Sequence, residues 1–203
     1  MKLPANEATP GFTLIEIMVA VSLFAIVAVI VSGALITISD VNRKAQAIKL
    51  AMDNVAFAMD SMVANLREGA QFGCLTGTTE SINNPNSIFS NSQSYLNNDC
   101  AGGSGIIFKS KRGGSANPGD IIYRFNENGN GSSKGSIQIV SSNSTPVQYK
   151  NLTSSEVNIT RLSFSVPTVS ASKNPTVTVV ISGEVPGKNP TKFNLQTTVM
   201  ANF

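Results

Sequence analysis

Residues 11–38 read GFTLIEIMVAVSLFAIVAVIVSGALITI. From Ile17 to Ile38 nothing is charged, and only Ser22, Ser32, Gly33 and Thr37 interrupt the hydrocarbon. As a helix, these 22 residues span about 33 Å, the thickness of one bilayer core. The run has no polar face, which argues against a buried helix of a soluble protein. Glu16 stands at its head, directly after Gly11-Phe12-Thr13-Leu14-Ile15. A carboxylate at the edge of such a segment is costly in lipid unless it is neutralised or paired.

Working outward, the helical pattern continues past the apolar run. Val41, Ala45, Ile48, Met52, Val55, Met59, Met62 and Leu66 recur at alternating spacings of four and three, with Asp40, Arg43, Lys44, Lys49, Asp53, Asp60 and Arg67 elsewhere. That spacing predicts an amphipathic helix docking one face on a sheet. Gly69 and Gly73 mark its end. One helix from Phe12 to Glu68 would be about 85 Å long.

Residues 69–105 are rich in Gly, Ser, Asn and Thr and carry no sustained period, the pattern of a long surface excursion with short strands or turns of its own. Seven runs with strand character follow: Ile106–Lys109, Asp120–Asn126, Gly135–Val140, Val147–Lys150, Val157–Val166, Thr176–Val185 and Lys192–Met200. Asn128-Gly129 and Asn130-Gly131 signal a tight connection between the second and third. Alternation of Phe193, Leu195, Thr197 and Val199 predicts a last strand with one buried face. Strands in sequence without intervening helices predict an antiparallel sheet, and the fold class is α+β.

The chain has 203 residues, and those beyond the apolar run suffice for one globular domain. Net charge is +3 and 13% of residues are charged, which excludes a polybasic nucleic-acid binder. Lys109, Lys111 and Arg112 with Phe108 form the single basic cluster with an aromatic. There is no histidine, so the commonest general base and metal ligand is missing. No CxxC, GxSxG elbow or phosphate-cradling loop occurs, and no cofactor or metal is expected. Asn126-x-Asn128-x-Asn130-Gly131 imitates the start of a calcium loop, but its oxygens are neutral amides and Ile137 stands where the bidentate glutamate belongs. A hairpin turn explains the same residues. The sequons at Asn130, Asn143, Asn151 and Asn158 are those expected by chance in a Ser/Asn-rich chain.

Cys74 and Cys100 are the two cysteines, both outside the apolar run. An even pair in an exported domain predicts a disulfide; two separate buried thiols are the alternative. A bridge would constrain the unfolded chain by about 3 kcal/mol.

Gly11 to Glu16, GFTLIE, followed by an apolar helix, resembles the N-terminus of type IV pilins and of the pseudopilins of type II secretion. The resemblance implies that a membrane prepilin peptidase cuts between Gly11 and Phe12, leaving Phe12 as an N-methylated first residue. It also implies that Glu16 pairs with the N-terminal ammonium of an adjacent subunit's Phe12 during assembly. Pairing opposite charges in low dielectric gives a strong preference for one register. The implied layout is a leader over residues 1–11, a transmembrane and filament-core helix over 12–38, and its amphipathic continuation over 39–68. A disulfide-bearing loop region over 69–105 and an antiparallel β domain over 106–203 complete it.

Gly33 falls where many major pilins have a helix-kinking proline, which favours a pseudopilin or minor pilin. The tail Phe193-Asn194-Leu195-Gln196-Thr197-Thr198-Val199 is similar to the closing strand of J-type pseudopilins and W-type minor pilins, although Ala201 stands where that ending has arginine. The implied function is a structural subunit that assembles into or initiates a type II secretion pseudopilus or a type IV pilus. Its partners would be the membrane, other pilin or pseudopilin subunits, the prepilin peptidase and an inner-membrane assembly platform. Its place would be the bacterial inner membrane, single-pass, with the C-terminal domain exported. The alternative is a minor pilin whose exported domain binds a ligand such as DNA or a surface; a membrane-anchored enzyme is the weakest reading.

Overall fold

The computed structural model describes residues 11–75, 84–91, 100–110, 119–128, 134–167, 175–187 and 190–201. The chain divides into two compact units, Met1–Gln46 and Ala47–Phe203, and one helix, α1 (Leu14–Arg67), contributes to both. In the first unit, α1 exposes nearly every side chain, including Ile17, Leu23, Phe24, Ile30 and Leu35. It is a helix long and apolar enough to cross a membrane. Its interrupting polar residues serve themselves locally. The Ser22 hydroxyl donates to the Val19 carbonyl at 2.8 Å, Ser32 to Ala28 at 2.8 Å and Thr37 to Gly33 at 3.1 Å. No hydroxyl there needs water, so the helix carries them into an apolar medium at little cost.

The second unit is a two-sheet domain with the C-terminal part of α1 in its core. One sheet has the order β1-β3-β4-β5-β6, comprising β1 (Gly69–Leu75), β3 (Gly105–Ser110), β4 (Gly119–Asn126), β5 (Ser136–Ser141) and β6 (Lys150–Asn151). The other has the order β2-β7-β8-β9, comprising β2 (Cys100–Gly103), β7 (Asn158–Val166), β8 (Thr176–Val185) and β9 (Thr191–Met200). Every pairing is antiparallel. A helix on antiparallel sheets is the α+β layout expected, with two sheets in place of one.

One main core joins α1 to both sheets. Ala51, Val55, Met62 and Leu66 of α1 meet Phe72, Ile106, Phe108, Tyr123 and Ile137 from the first sheet and Phe164, Val179, Ile181 and Phe193 from the second. The most buried line on α1 is Ala51, Val55, Ala58, Met62, Asn65 and Leu66, which keeps Val55, Met62 and Leu66 of the expected stripe and takes Ala51 and Ala58 in place of Met52 and Met59. Met52 and Met59 flank it half-buried, and Val41 is exposed. The two alanines let the helix axis approach the sheet closely, and the longer methionines fill the margins.

The first sheet buries apolar residues on both faces. Ile106 and Phe108 face the main core, while Ile107 lies with Leu75, Ile122, Val140 and Ile88 in a second cluster. Ile88 belongs to a short helix, α2 (Pro85–Ser90), capped by Asn84. Burial on both faces explains the unbroken apolar runs Ile106-Ile107-Phe108 and Ile121-Ile122-Tyr123, which do not alternate as a half-exposed strand would.

Region 69–105, expected to be a long surface excursion with short strands or turns of its own, supplies β1, β2 and α2 among the described residues. Its first seven residues are structural and largely buried. Their composition hides this: a Cβ on Gly69 would meet Phe108 at 2.6 Å, so the strand needs small residues against the aromatic core. Gln71, at φ 52°, opens a bulge between Ala70 and Gly73 and breaks the alternation that marks strands. The last strand fits its expected pattern, with Phe193 and Val199 buried and Leu195 and Thr197 half-buried.

Candidate functional site

The start of α1 is built from Thr13 and Glu16. The Glu16 amide donates to the Thr13 carbonyl at 3.1 Å and to Thr13 Oγ1 at 3.4 Å, and the Ile17 amide donates to the same carbonyl at 3.3 Å. Thr13 is thus the N-cap, and Glu16 is the third helical residue. Thr13-x-x-Glu16 is the capping-box spacing, in which the cap's hydroxyl satisfies an otherwise unpaired amide. That position also places the carboxylate in the first turn, where the helix dipole favours negative charge. The sequence contained this signal, and the expectation of a helix from Phe12 missed it; the cap moves the first helical residue to Leu14.

Gly11, Phe12 and Glu16 are all exposed, Phe12 at 79%. Nothing lies within 4 Å of a Cβ built on Gly11. The peptide bond between Gly11 and Phe12 lies outside any helix or strand, immediately before the cap. Glu16 is held on the first helical turn after that bond.

Cys74 lies in β1 and is 5% exposed, and its sulfur is not a free thiol. A Cβ built on Gly103 of β2 would meet Cys74 Sγ at 2.5 Å, so the ends of β1 and β2 lie side by side. Cys100 begins β2, with its backbone paired to Val166; its side chain lies outside the described residues.

A polar cluster that the sequence reading did not find crosses the first sheet. Arg124 is 7% exposed in the middle of an apolar strand. Its Nε donates to Gln138 Oε1 at 2.9 Å, and its guanidinium carbon stands 3.7 Å from the centre of the Tyr149 ring. Gln138 Nε2 in turn donates to Asn151 Oδ1 at 2.8 Å. Burial lowers the Arg124 pKa from its ordinary value, and the neighbouring Tyr149 hydroxyl opposes that shift. Burial pushes the Tyr149 hydroxyl up to about 12, with the Arg124 charge opposing. The only sequence signal was a lone arginine after Ile121-Ile122-Tyr123.

The remaining candidates are structural or fall outside the described residues. Asn126 Oδ1 accepts the Asn128 amide at 3.2 Å, the geometry of a turn, and Ile137 is fully buried; Asn130 lies outside the described residues. Asn158 accepts the Gly135 amide and donates to Glu184, and Asn151 is engaged by Gln138, so these two sequon amides hold the sheets. Phe108 is fully buried in the core and cannot stack on a base, while Lys111 and Arg112 lie outside the described residues. Among the described residues no group of three or more His, Cys, Asp or Glu gathers to hold a metal.

No curated protein and no solved structure matches the chain significantly. Residues 10–32 match the prokaryotic N-terminal methylation motif, the prepilin-type signature, which supports a type IV pilin-like protein.

Proposed function

We propose that this chain is a minor pseudopilin or minor pilin, a structural subunit that assembles into or initiates a type II secretion pseudopilus or a type IV pilus. The methylation motif over residues 10–32, ending inside an exposed apolar helix, carries this reading. A prepilin peptidase cuts between Gly11 and Phe12, and Phe12 is N-methylated. The apolar part of α1 serves first as an inner-membrane anchor and then as filament core. The Glu16 carboxylate accepts the Phe12 ammonium of the next subunit. Cys74 and Cys100 form a disulfide in the exported domain. Ligand binding by that domain is the weaker reading, because the one aromatic in the basic cluster is buried.

Intact-mass measurement and N-terminal sequencing of membrane-extracted protein test the reading. The expected mature chain begins at Phe12 and is one methyl group heavier than its sequence. A chain that still begins at Met1, or that begins beyond Ser32, overturns it.

A further inference from the structure

We propose that Arg43 and Lys44 bind the phosphates of anionic phospholipid headgroups, in the leaflet on the exported side of the membrane. The inference rests on the reading of α1 as a membrane-spanning helix, and it assigns a ligand to residues that reading leaves without a role.

The first observation is depth. The uncharged run ends at Ile38 and alone fills the hydrocarbon core, about 33 Å of helix against about 30 Å of hydrocarbon. Arg43 and Lys44 lie five and six residues farther on, about 8 to 9 Å along the axis. The headgroup layer on each side is about 5 to 8 Å deep, and both side chains are long enough to reach back toward it. From the other boundary, Glu16 and Arg43 are about 40 Å apart along α1, close to the full thickness of a bilayer with its headgroups.

The second observation is that the two cations are uncommitted within the protein. Both are exposed, and no hydrogen bond or ion pair engages either of them among the described residues. Asp40 stands four residues before Lys44, the right spacing for a helical ion pair, yet none forms among the described residues. Successive residues on a helix point about 100° apart, so Arg43 and Lys44 address two different headgroups. A guanidinium also matches a phosphate with two parallel hydrogen bonds.

The third observation is sign. Basic residues are normally concentrated on the cytoplasmic side of a span, and here the N-terminal flank carries only Lys2 against Glu7. Beside Asp40, the lipid phosphates are the anionic groups that Arg43 and Lys44 meet at that depth.

The test is solid-state NMR on the full mature chain in vesicles of phosphatidylcholine with phosphatidylglycerol, with carbonate extraction of the same vesicles confirming integration. Lipid phosphorus should dephase the Arg43 Cζ and Lys44 Cε signals but leave Arg67 Cζ, far along α1, unaffected. A depth-sensitive label at Ser39 should shift when phosphatidylglycerol is omitted, and the double variant Arg43→Gln, Lys44→Gln should lose that dependence while remaining integrated. Undephased signals in an integrated chain overturn the proposal. A chain that carbonate releases from the vesicles overturns the membrane-span reading and this proposal with it.

Discussion

Asn65 Nδ2 donates a 2.6 Å hydrogen bond to the hydroxyl of Tyr123, tying the last turn of α1 to the centre of the first sheet inside the main core. The ring of Tyr123 continues a line of aromatics, 6.0 Å from Phe108, which is itself 5.4 Å from Phe72. Tyr123→Phe keeps that packing and removes the hydroxyl, leaving the buried amide one partner short. The expected cost is about 1 to 3 kcal/mol. Urea unfolding of the detergent-solubilised chain should show a lower midpoint with an unchanged slope.

This tie also shows where the sequence stopped being legible. An asparagine beside a stripe of apolar residues looks like solvent-facing surface, and only its partner 58 residues away makes it core. Ala51 and Ala58 are hidden beside Met52 and Met59 in the sequence because hydrophobic size, the visible signal, differs from closeness of approach, which geometry decides. β1 escaped notice because Gly69, Ala70 and Gly73 lack strand propensity; their smallness answers Phe72 and Phe108, which are recognised as neighbours only in three dimensions. What was legible was periodic or local: the apolar run, the alternating last strand and the strands from Ile106 onward, except Val147–Lys150, where only Lys150 joins a strand. Thr13-x-x-Glu16 is local too, a capping box written in four consecutive residues.

Cys74 and Cys100 are expected to be joined in the exported protein. Gly103, three residues after Cys100 in β2, lies against the Cys74 sulfur, which is not a free thiol. Labelling under denaturing, non-reducing conditions should find no thiol, and reduction should release two. Replacing both cysteines with serine should lower stability by about 3 kcal/mol, chiefly by freeing the unfolded chain. Two labelled thiols in protein from the exported side would contradict the pairing.

Tyr149 should make the domain less stable at high pH. Its hydroxyl ionises near 10 in the unfolded chain and at about 12 in the folded one, so between those values the folded state holds a proton that the unfolded state has lost. Its contribution is fully present below pH 10 and is lost as pH rises through 12. Tyr149→Phe should flatten that part of the stability profile, and the difference in tyrosinate absorbance between the two proteins should titrate near 12.

Glu16 should matter for assembly, and two substitutions separate its two roles. Glu16→Ala removes both the charge and any cap interaction, whereas Glu16→Gln keeps an amide able to serve the capping box and removes only the charge. If Glu16 acts through the helix cap alone, the glutamine variant should behave as wild type. If its carboxylate accepts the Phe12 ammonium of the next subunit, both variants leave that ammonium uncompensated in an apolar filament core. Neither change should impair membrane insertion, since each removes a charge from the edge of the span. The domain core, built from Ala51 onward, should be untouched. The expected outcome is normal membrane levels, a normal domain and a sharp, equal fall in fibre incorporation or initiation for both variants. Wild-type assembly by Glu16→Gln would leave Glu16 as a helix cap and remove the charge-pairing role.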